Sequence, residues 1–250
     1  MAKKPLPTIP RTQRTLDTKW GKIVYRAWGL GDQALILQAI SPNGEGDEVE
    51  RAQALEQLLR SNTVEVKSTG FSDVADAPIF VAEILLMRMR ALALGEKATV
   101  SRMCDGCPDQ ERAERLDFEF DINTDIVIEE EEGHQDFIEV AEYRMNLRYP
   151  TISSSLSLKD VKDAADASVL LTSKFIRSVE NADEFWDFED YTDEEVEEFV
   201  KAIGSDVQTE ILRKFVGTMP YTKVHLEKKC PACGKEHSFD VKGVSRLFTV

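Results

Sequence analysis

Four cysteines stand in two C-x-x-C pairs, Cys104-Asp-Gly-Cys107 and Cys230-Pro-Ala-Cys233. A C-x-x-C turn at the tip of a β-hairpin directs both sulfurs to one side. Two such turns facing each other supply four thiolates, the closed tetrahedral set of a structural zinc site. Gly106 and Gly234 suit the tight backbone of these turns. Four protein thiolates leave no open coordination position, so the implied site is structural, with one Zn2+ per chain. Free thiols, disulfides and a thioredoxin-like redox pair are the competing readings. A redox C-x-x-C normally opens a helix after a strand, whereas both pairs here lie between strand-like segments. His225 and His237 flank the second pair and offer themselves as replacements for a cysteine ligand.

The segments that must position these turns have recognisable periodicities. Lys97–Met103 and the alternating Leu116–Asp121 flank the first pair; Thr222–Lys228 and His237–Val241 flank the second. Ahead of the first hairpin, Ala77–Leu94 reads as a helix with Asp76 as N-cap, Pro78 in its first turn and Gly95 at its end. It is apolar on most sides, so it must be buried, either within the chain or under a partner. Between the hairpins lie 122 residues. There, Ile138–Tyr149 alternates as one strand stopped by Pro150, and Asp160–Val179 reads as a helix. Thr192 with Glu195, and Ser205 with Gln208, make two capping boxes that open further helices. Nearer the start, Lys22–Trp28 reads as a strand, Ser41–Gly46 as a loop, and Asp47 as the cap of a helix to about Arg60.

The pattern is α+β. It predicts a zinc-ribbon-like pair of β-hairpins, 96–121 and 222–242, with two C-x-x-C knuckles and a mainly helical lobe, about 153–218, inserted between them. The strands 97–103 and 222–228 are expected side by side. Residues 1–20 read as an extended basic arm, and 21–250 as a single α+β domain.

Charge is unevenly distributed. The 250-residue chain has a formal charge of −15, yet Met1–Arg26 carries +6. So acidic a body is repelled by phosphate, which disfavours nucleic-acid binding. No apolar run reaches the ~20 residues that span a bilayer, so no membrane association is expected. The start is basic, with Pro5, Pro7 and Pro10, and lacks the apolar stretch of a secretory signal. A reducing cytoplasm follows, in which paired cysteines read as metal ligands first. Glu180–Glu198 holds eleven Asp/Glu and no Lys/Arg, together with Phe185, Trp186, Phe188 and Tyr191. Acidic residues around aromatics suit a basic partner segment, against the plainer reading of a solvated linker. Lys3, Lys4, Arg11 and Arg14 of the arm are candidates to meet acidic surfaces, this one included, within one chain or between copies. No catalytic constellation stands out. Trp28-Gly-Leu-Gly31 lacks the remaining residues of a phosphate loop or dinucleotide fingerprint, His134 has no nearby nucleophile, and Ser153–Ser155 lacks a nucleophile elbow.

Three stretches, Asp76–Cys107, Met145–Thr151 (MNLRYPT) and Phe188–Val241, together resemble the baseplate hub and hub-assembly proteins of T-even contractile-tailed bacteriophages. The three stretches make up a little over a third of the chain. It implies a structural or assembly role in the central baseplate hub, with the family's cysteine pairs falling on Cys104, Cys107, Cys230 and Cys233. The partners implied are other tail proteins of the hub, tube and tape measure, engaged in several symmetric copies. The implied location is the host cytoplasm during assembly and the virion tail baseplate if the protein is retained. The alternatives are a tail assembly chaperone that binds the tape measure and leaves before the virion is complete, and a zinc-ribbon regulator using Lys223, Lys228, Lys229, Lys235 and Lys242. A tail-associated hydrolase would need a cleft with a perturbed carboxylate or an open metal position.

Overall fold

The computed structural model describes residues 9–40, 48–107, 113–156 and 163–243. In chain order, strands β1 (Gln13–Thr18) and β2 (Gly21–Arg26) precede helices α1 (Gln33–Ile40) and α2 (Glu48–Asn62) and strand β3 (Thr63–Lys67). Helix α3 (Ile79–Leu94) leads into β4 (Lys97–Met103), β5 (Arg115–Asp121), β6 (Ile126–Glu129), β7 (Phe137–Val140) and β8 (Tyr143–Leu147). Then come α4 (Ile152–Leu156), α5 (Ala164–Phe175), β9 (Ile176–Glu180), β10 (Phe185–Asp187), α6 (Asp193–Ala202), α7 (Ser205–Lys214), β11 (Tyr221–Lys229) and β12 (Glu236–Lys242). Strand pairs are antiparallel throughout, in sheets ordered β1-β2-β3, β10-β9-β8-β7, β12-β11-β6 and β4-β5. The α+β expectation holds.

Helix α3 organises the first of two cores. Its Phe80, Val81, Ile84, Leu85, Met87 and Met89 are buried within the chain, against side chains from β1, β2, α2, β5, β6 and β11. Burying each large side chain contributes roughly 1.5–3 kcal/mol. Its polar residues serve the same packing. The Arg88 guanidinium donates to the Ile122 and Ile126 carbonyls and to Asn123 Oδ1, holding the β5–β6 connection. Glu83 accepts from Thr222 Oγ1 at 2.6 Å, tying the helix to β11.

The second core lies between the four-stranded sheet and helices α5–α7. Ile138, Met145, Ile176 and Val179 of the sheet meet Val196, Val200, Val207, Ile211 and Phe215. A seam of rings joins the cores. Tyr149 stacks on Phe215 at 5.4 Å and meets Phe80 edge-on at 5.1 Å, and Phe80 meets Trp20 at 4.7 Å. At the same place Ile79 N–H donates to Pro150 O at 2.9 Å, and Pro78 and Thr151 form a β-bridge.

Several expectations need correction. The basic arm does not stay outside the fold: residues 13–18 are β1, paired along its length with β2, and Leu16 is buried in the first core. Residues 1–8, like the loop 41–46 and the Asp47 cap, lie outside the described residues. Asp76 is not the cap of α3. The Asp73 carboxylate instead accepts from Ala75 N–H in a short 3-10 turn at 74–76, and Pro78 precedes the first helical residue. The segment 138–149 is two strands, not one, reversing at Ala141, whose φ of 54° gives the turn without a glycine. The helix expected over 160–179 stops at Phe175, because Ile176–Glu180 pairs with β8 and buries Ile176 and Val179. The lobe 153–218 is mainly helical, as α4–α7, and it also supplies the short strands β9 and β10 to a sheet completed by β7 and β8. Ser205 and Gln208 form no box; Gly204 is the N-cap of α7, and Gln208 Nε2 donates to Ser168 Oγ at 2.7 Å. The Thr192–Glu195 box at α6 is present in both directions. Among the described residues β4 pairs with β5, while β11 pairs with β12 and β6 and packs on β5, so 97–103 and 222–228 are not paired with each other.

Candidate metal centre

The two cysteine turns sit at the tips of the β4–β5 and β11–β12 hairpins, and the hairpins are held face to face. Phe118 of β5 meets Phe239 of β12 edge-on at 5.1 Å, Arg102 lies over the same Phe239 ring at 5.3 Å, and Lys228 Nζ donates to Asp117 O at 2.7 Å. Each turn is closed by its own backbone. Cys104 N–H donates to Glu114 O, Cys230 N–H to Lys235 O, and Gly234 N–H to Cys230 O. Gly234 has a φ of 75°, a left-handed conformation that favours glycine. Gly106 is required by close approach: a Cβ there would stand 2.4 Å from Lys235 Cδ of the other turn.

This geometry brings all four sulfurs together, within 4.8 Å of one another. Cys104 Sγ is 3.6 Å from Cys233 Sγ, and Cys107 Sγ is 3.9 Å from Cys230 Sγ. With zinc–sulfur bonds of about 2.3 Å, tetrahedral sulfurs stand about 3.8 Å apart. Sulfurs at this spacing could hold one cation, and the spacing is too long for a covalent S–S bond; all four cysteines are free thiols. Cys104, Cys107 and Cys230 are buried and Cys233 is partly exposed.

The thiols differ in how readily they ionise. Burial pushes the Cys104 thiol up to about 12, against a lowering bond from Gly106 N–H. Cys230 is drawn down to about 7, chiefly by the backbone N–H of Cys233. Neighbouring thiols in one buried pocket cannot all ionise unaided, and a bound cation removes that conflict.

The histidines separate. His225 lies away from the sulfurs, with Nδ1 2.7 Å from Asp240 Oδ1 and Nε2 3.3 Å from Ser238 Oγ, which withdraws it as a ligand. His237 is buried beside the cluster, with Nε2 3.2 Å from Cys104 Sγ and Nδ1 3.6 Å from Asp105 Oδ1. Asp105 also pairs with Lys235 Nζ at 2.9 Å. His237 and Asp105 thus form a polar outer layer around Cys104, of the kind that orients metal ligands. Sequence reasoning missed Asp105, and placed Lys235 only in a basic face near the second turn, since nothing in their spacing sets one turn against the other.

The other candidate residues are dispersed. Lys3 and Lys4 lie outside the described residues. Arg11 is engaged in its own fold, donating to Ala27 O at 3.1 Å and Asn62 Oδ1 at 2.9 Å and pairing with Asp32. Arg14 pairs with Glu96 at 3.2 Å. Neither meets the acidic segment 180–198. Trp186 and Phe188 line a groove in the second core, while Phe185 faces the other side of β10 and is 59% exposed. Tyr191, noted in the acidic segment, shares that groove, as do Tyr143 and Phe199, which were not singled out from sequence. The spacing of Phe199, three residues after Val196 on one face of α6, was the available signal. No helix among the described residues is long and apolar enough to cross a membrane.

No curated protein and no solved structure matches the chain significantly. The sequence model of the family described as T4 bacteriophage base plate protein matches residues 8–249, nearly the whole chain, and takes in both cysteine turns. The chain belongs to this family, and is a structural protein of a T4-like phage baseplate that meets other phage tail proteins.

Proposed function

We propose that the protein is a structural or assembly component of the central hub of a contractile phage-tail baseplate, stapled by one structural zinc ion per chain. The observation that carries the zinc reading is the set of four sulfurs at tetrahedral spacing, contributed by Cys104, Cys107, Cys230 and Cys233. When bound, the metal acts as a cross-link between hairpins more than a hundred residues apart in sequence, and four protein ligands leave it no open position for catalysis. The protein's contribution is to present the thiols, hold them with backbone N–H groups, and shield Cys104 with His237.

The hub reading rests on the resemblance of Asp76–Cys107, Met145–Thr151 and Phe188–Val241, within a chain that belongs to the baseplate family. The proposed partners are hub, tube and tape-measure proteins, met by several symmetric copies of this chain. Lys3, Lys4 and Arg14 are proposed to meet acidic partner surfaces. Assembly begins in the host cytoplasm and ends in the virion baseplate. Native mass spectrometry, with and without chelator and with and without hub and tape-measure proteins, tests both halves of this proposal. One zinc per chain and a stoichiometric complex with the hub are expected. Binding to the tape measure with absence from finished virions would turn the assignment to an assembly chaperone. One zinc with neither complex would turn it to a zinc-ribbon regulator, and no zinc in a folded chain would overturn the metal assignment.

A further inference from the structure

We propose that the groove between the four-stranded sheet and helix α6 is a docking site for a basic, apolar-anchored segment of another tail protein. The proposal gives a surface and a partner chemistry to the baseplate reading above, and rests on it.

The groove has a volume of about 660 Å3 and is open to solvent. This is within the range of about 300–1,000 Å3 that holds groups of several large side chains. Its floor is apolar, with Met145 and Val179 from the sheet and Val196 from α6. Its walls are aromatic. Trp186 lies 6.1 Å from Tyr143, and Phe188 lies 5.3 Å from Phe199 and 6.4 Å from Tyr191, by ring centroids. Tyr143, Tyr191 and Phe199 remain 37–44% exposed although they stand on an apolar cavity. Partly exposed aromatics around an apolar floor are the composition of interface hot spots.

The rim decides the partner. The segment that builds this wall, 180–198, carries eleven carboxylates and no cation. Some are answered from elsewhere: Lys174 pairs with Asp193, Lys201 with Glu197, Arg148 with Glu189 and Arg144 with Glu180. Glu195, which lines the groove, and Asp190, between the lining residues Phe188 and Tyr191, pair with no cation among the described residues. An apolar trough with an acidic rim recognises a segment that places large apolar side chains inward and Lys or Arg outward. A second copy of this chain fits poorly, because two bodies of charge −15 repel at long range. Its own described arginines are no better, since Arg11 and Arg14 are engaged in their own protomer.

The test places a photo-reactive benzoylphenylalanine at residue 199, in the full-length chain, during phage infection. The control carries the same group at residue 185, exposed on the opposite face of β10. Cross-links are sequenced from whole infected cells and from purified baseplates. The expected result is a cross-link from residue 199 to a Lys/Arg-flanked apolar segment of another tail protein, at least about tenfold above residue 185. The yield should fall about tenfold in the Asp190→Lys, Glu195→Gln background, which removes the rim charge and keeps an acceptor for Thr192 N–H, with circular dichroism and metal content unchanged. A cross-link to a second copy of this chain, one to an acidic segment, equal yields at both positions, or none at 199 would each overturn the proposal. The baseplate assignment is read separately, as the presence of the chain in purified particles, and stands or falls independently of the cross-link.

Discussion

The core around α3 and the core around the four-stranded sheet are closed in different ways. At its far end the first core narrows to two hairpins, β4–β5 and β11–β12, each with one face against the other. Beyond Leu116 and Phe239 the described residues of the tips bury Cys104, Cys107, Cys230, Ala113 and His237, and Met103 beside them is 53% exposed. There the chain relies on convergent thiols. The second core has the opposite condition. Its sheet face and helices bring more apolar and aromatic surface than they cover, leaving an open groove beside Trp186 and Phe199. Convergent thiols stand where apolar surface runs short, and an open apolar groove remains where apolar surface is in excess.

The largest expected effect tests the first half of this contrast. Structural zinc is worth about 10–16 kcal/mol in finger peptides, comparable to a whole domain's stability of about 5–15 kcal/mol. Chelation, or Cys104→Ser, should lower the thermal midpoint by roughly 20 °C or more. Hydrogen exchange should show the amides of β4, β5, β11 and β12 losing protection while β8 and β9 keep theirs. Simultaneous loss in all six strands would mean that the two cores form one cooperative unit and would break the contrast.

The seam is the next place to press. Phe215 is fully buried, 5.4 Å from Tyr149 and 6.1 Å from Phe175 by ring centroids. Phe215→Ala should cost about 3–5 kcal/mol. Denaturant unfolding followed by tryptophan fluorescence should show a destabilised lobe, while metal content stays at the wild-type value. Loss of metal in this variant would show that the cysteine site depends on the lobe.

A smaller effect separates two helix starts that look alike in sequence. Thr192 and Glu195 satisfy each other's backbone at α6, whereas Ser205 makes no capping bond at α7. Thr192→Ala should cost about 1 kcal/mol, or about 2–4 °C. Ser205→Ala should stay within about 0.5 kcal/mol. Equal losses measured by calorimetry would contradict the assignment of Gly204 as the N-cap.

That pair also shows what was legible in the sequence. The cysteine spacing, the apolar helix and the Thr192 box were readable because their chemistry is local: ligand count, helical periodicity, and a reciprocal bond across three residues. β6, β9 and β10 were not. They are short, their alternation is weak, and each exists because a distant strand pairs with it; Ile176–Glu180, next to a helical run, becomes a strand only when β8 lies alongside. The same non-local dependence hid the groove. Phe185, Trp186 and Phe188 are close in sequence, but only the register of β10 against β9 decides that Trp186 faces the groove and Phe185 faces away. Gln208 would complete a box by sequence, yet Ser168 of α5 offers a shorter route for its amide.

The smallest expected effect is a pH dependence at the seam. His134 packs against both Tyr149 and Phe215, at 5.6 and 5.5 Å between centroids, with Nδ1 2.9 Å from Thr218 Oγ1 and Nε2 2.9 Å from Tyr149 Oη. Burial lowers its pKa below 6.5, with Asp136 and Glu130 opposing and Lys19 assisting. Above pH 6.5 the ring is neutral in folded and unfolded chains, so it adds no pH dependence. As pH falls through 6.5 the unfolded chain takes up a proton that the folded chain still refuses, and stability declines until the folded ring protonates as well. Thermal midpoints between about pH 7.5 and 5.5 should therefore fall more steeply in the wild type than in His134→Gln, which keeps hydrogen-bonding groups but does not titrate. The loss should concentrate in the lobe side of the seam, at α7 and β7, with exchange in β11 and β12 unchanged. An equal slope in the variant would place the acid sensitivity elsewhere, and exchange confined to the cysteine hairpins would place it at the metal centre, where protons compete with the cation for sulfur.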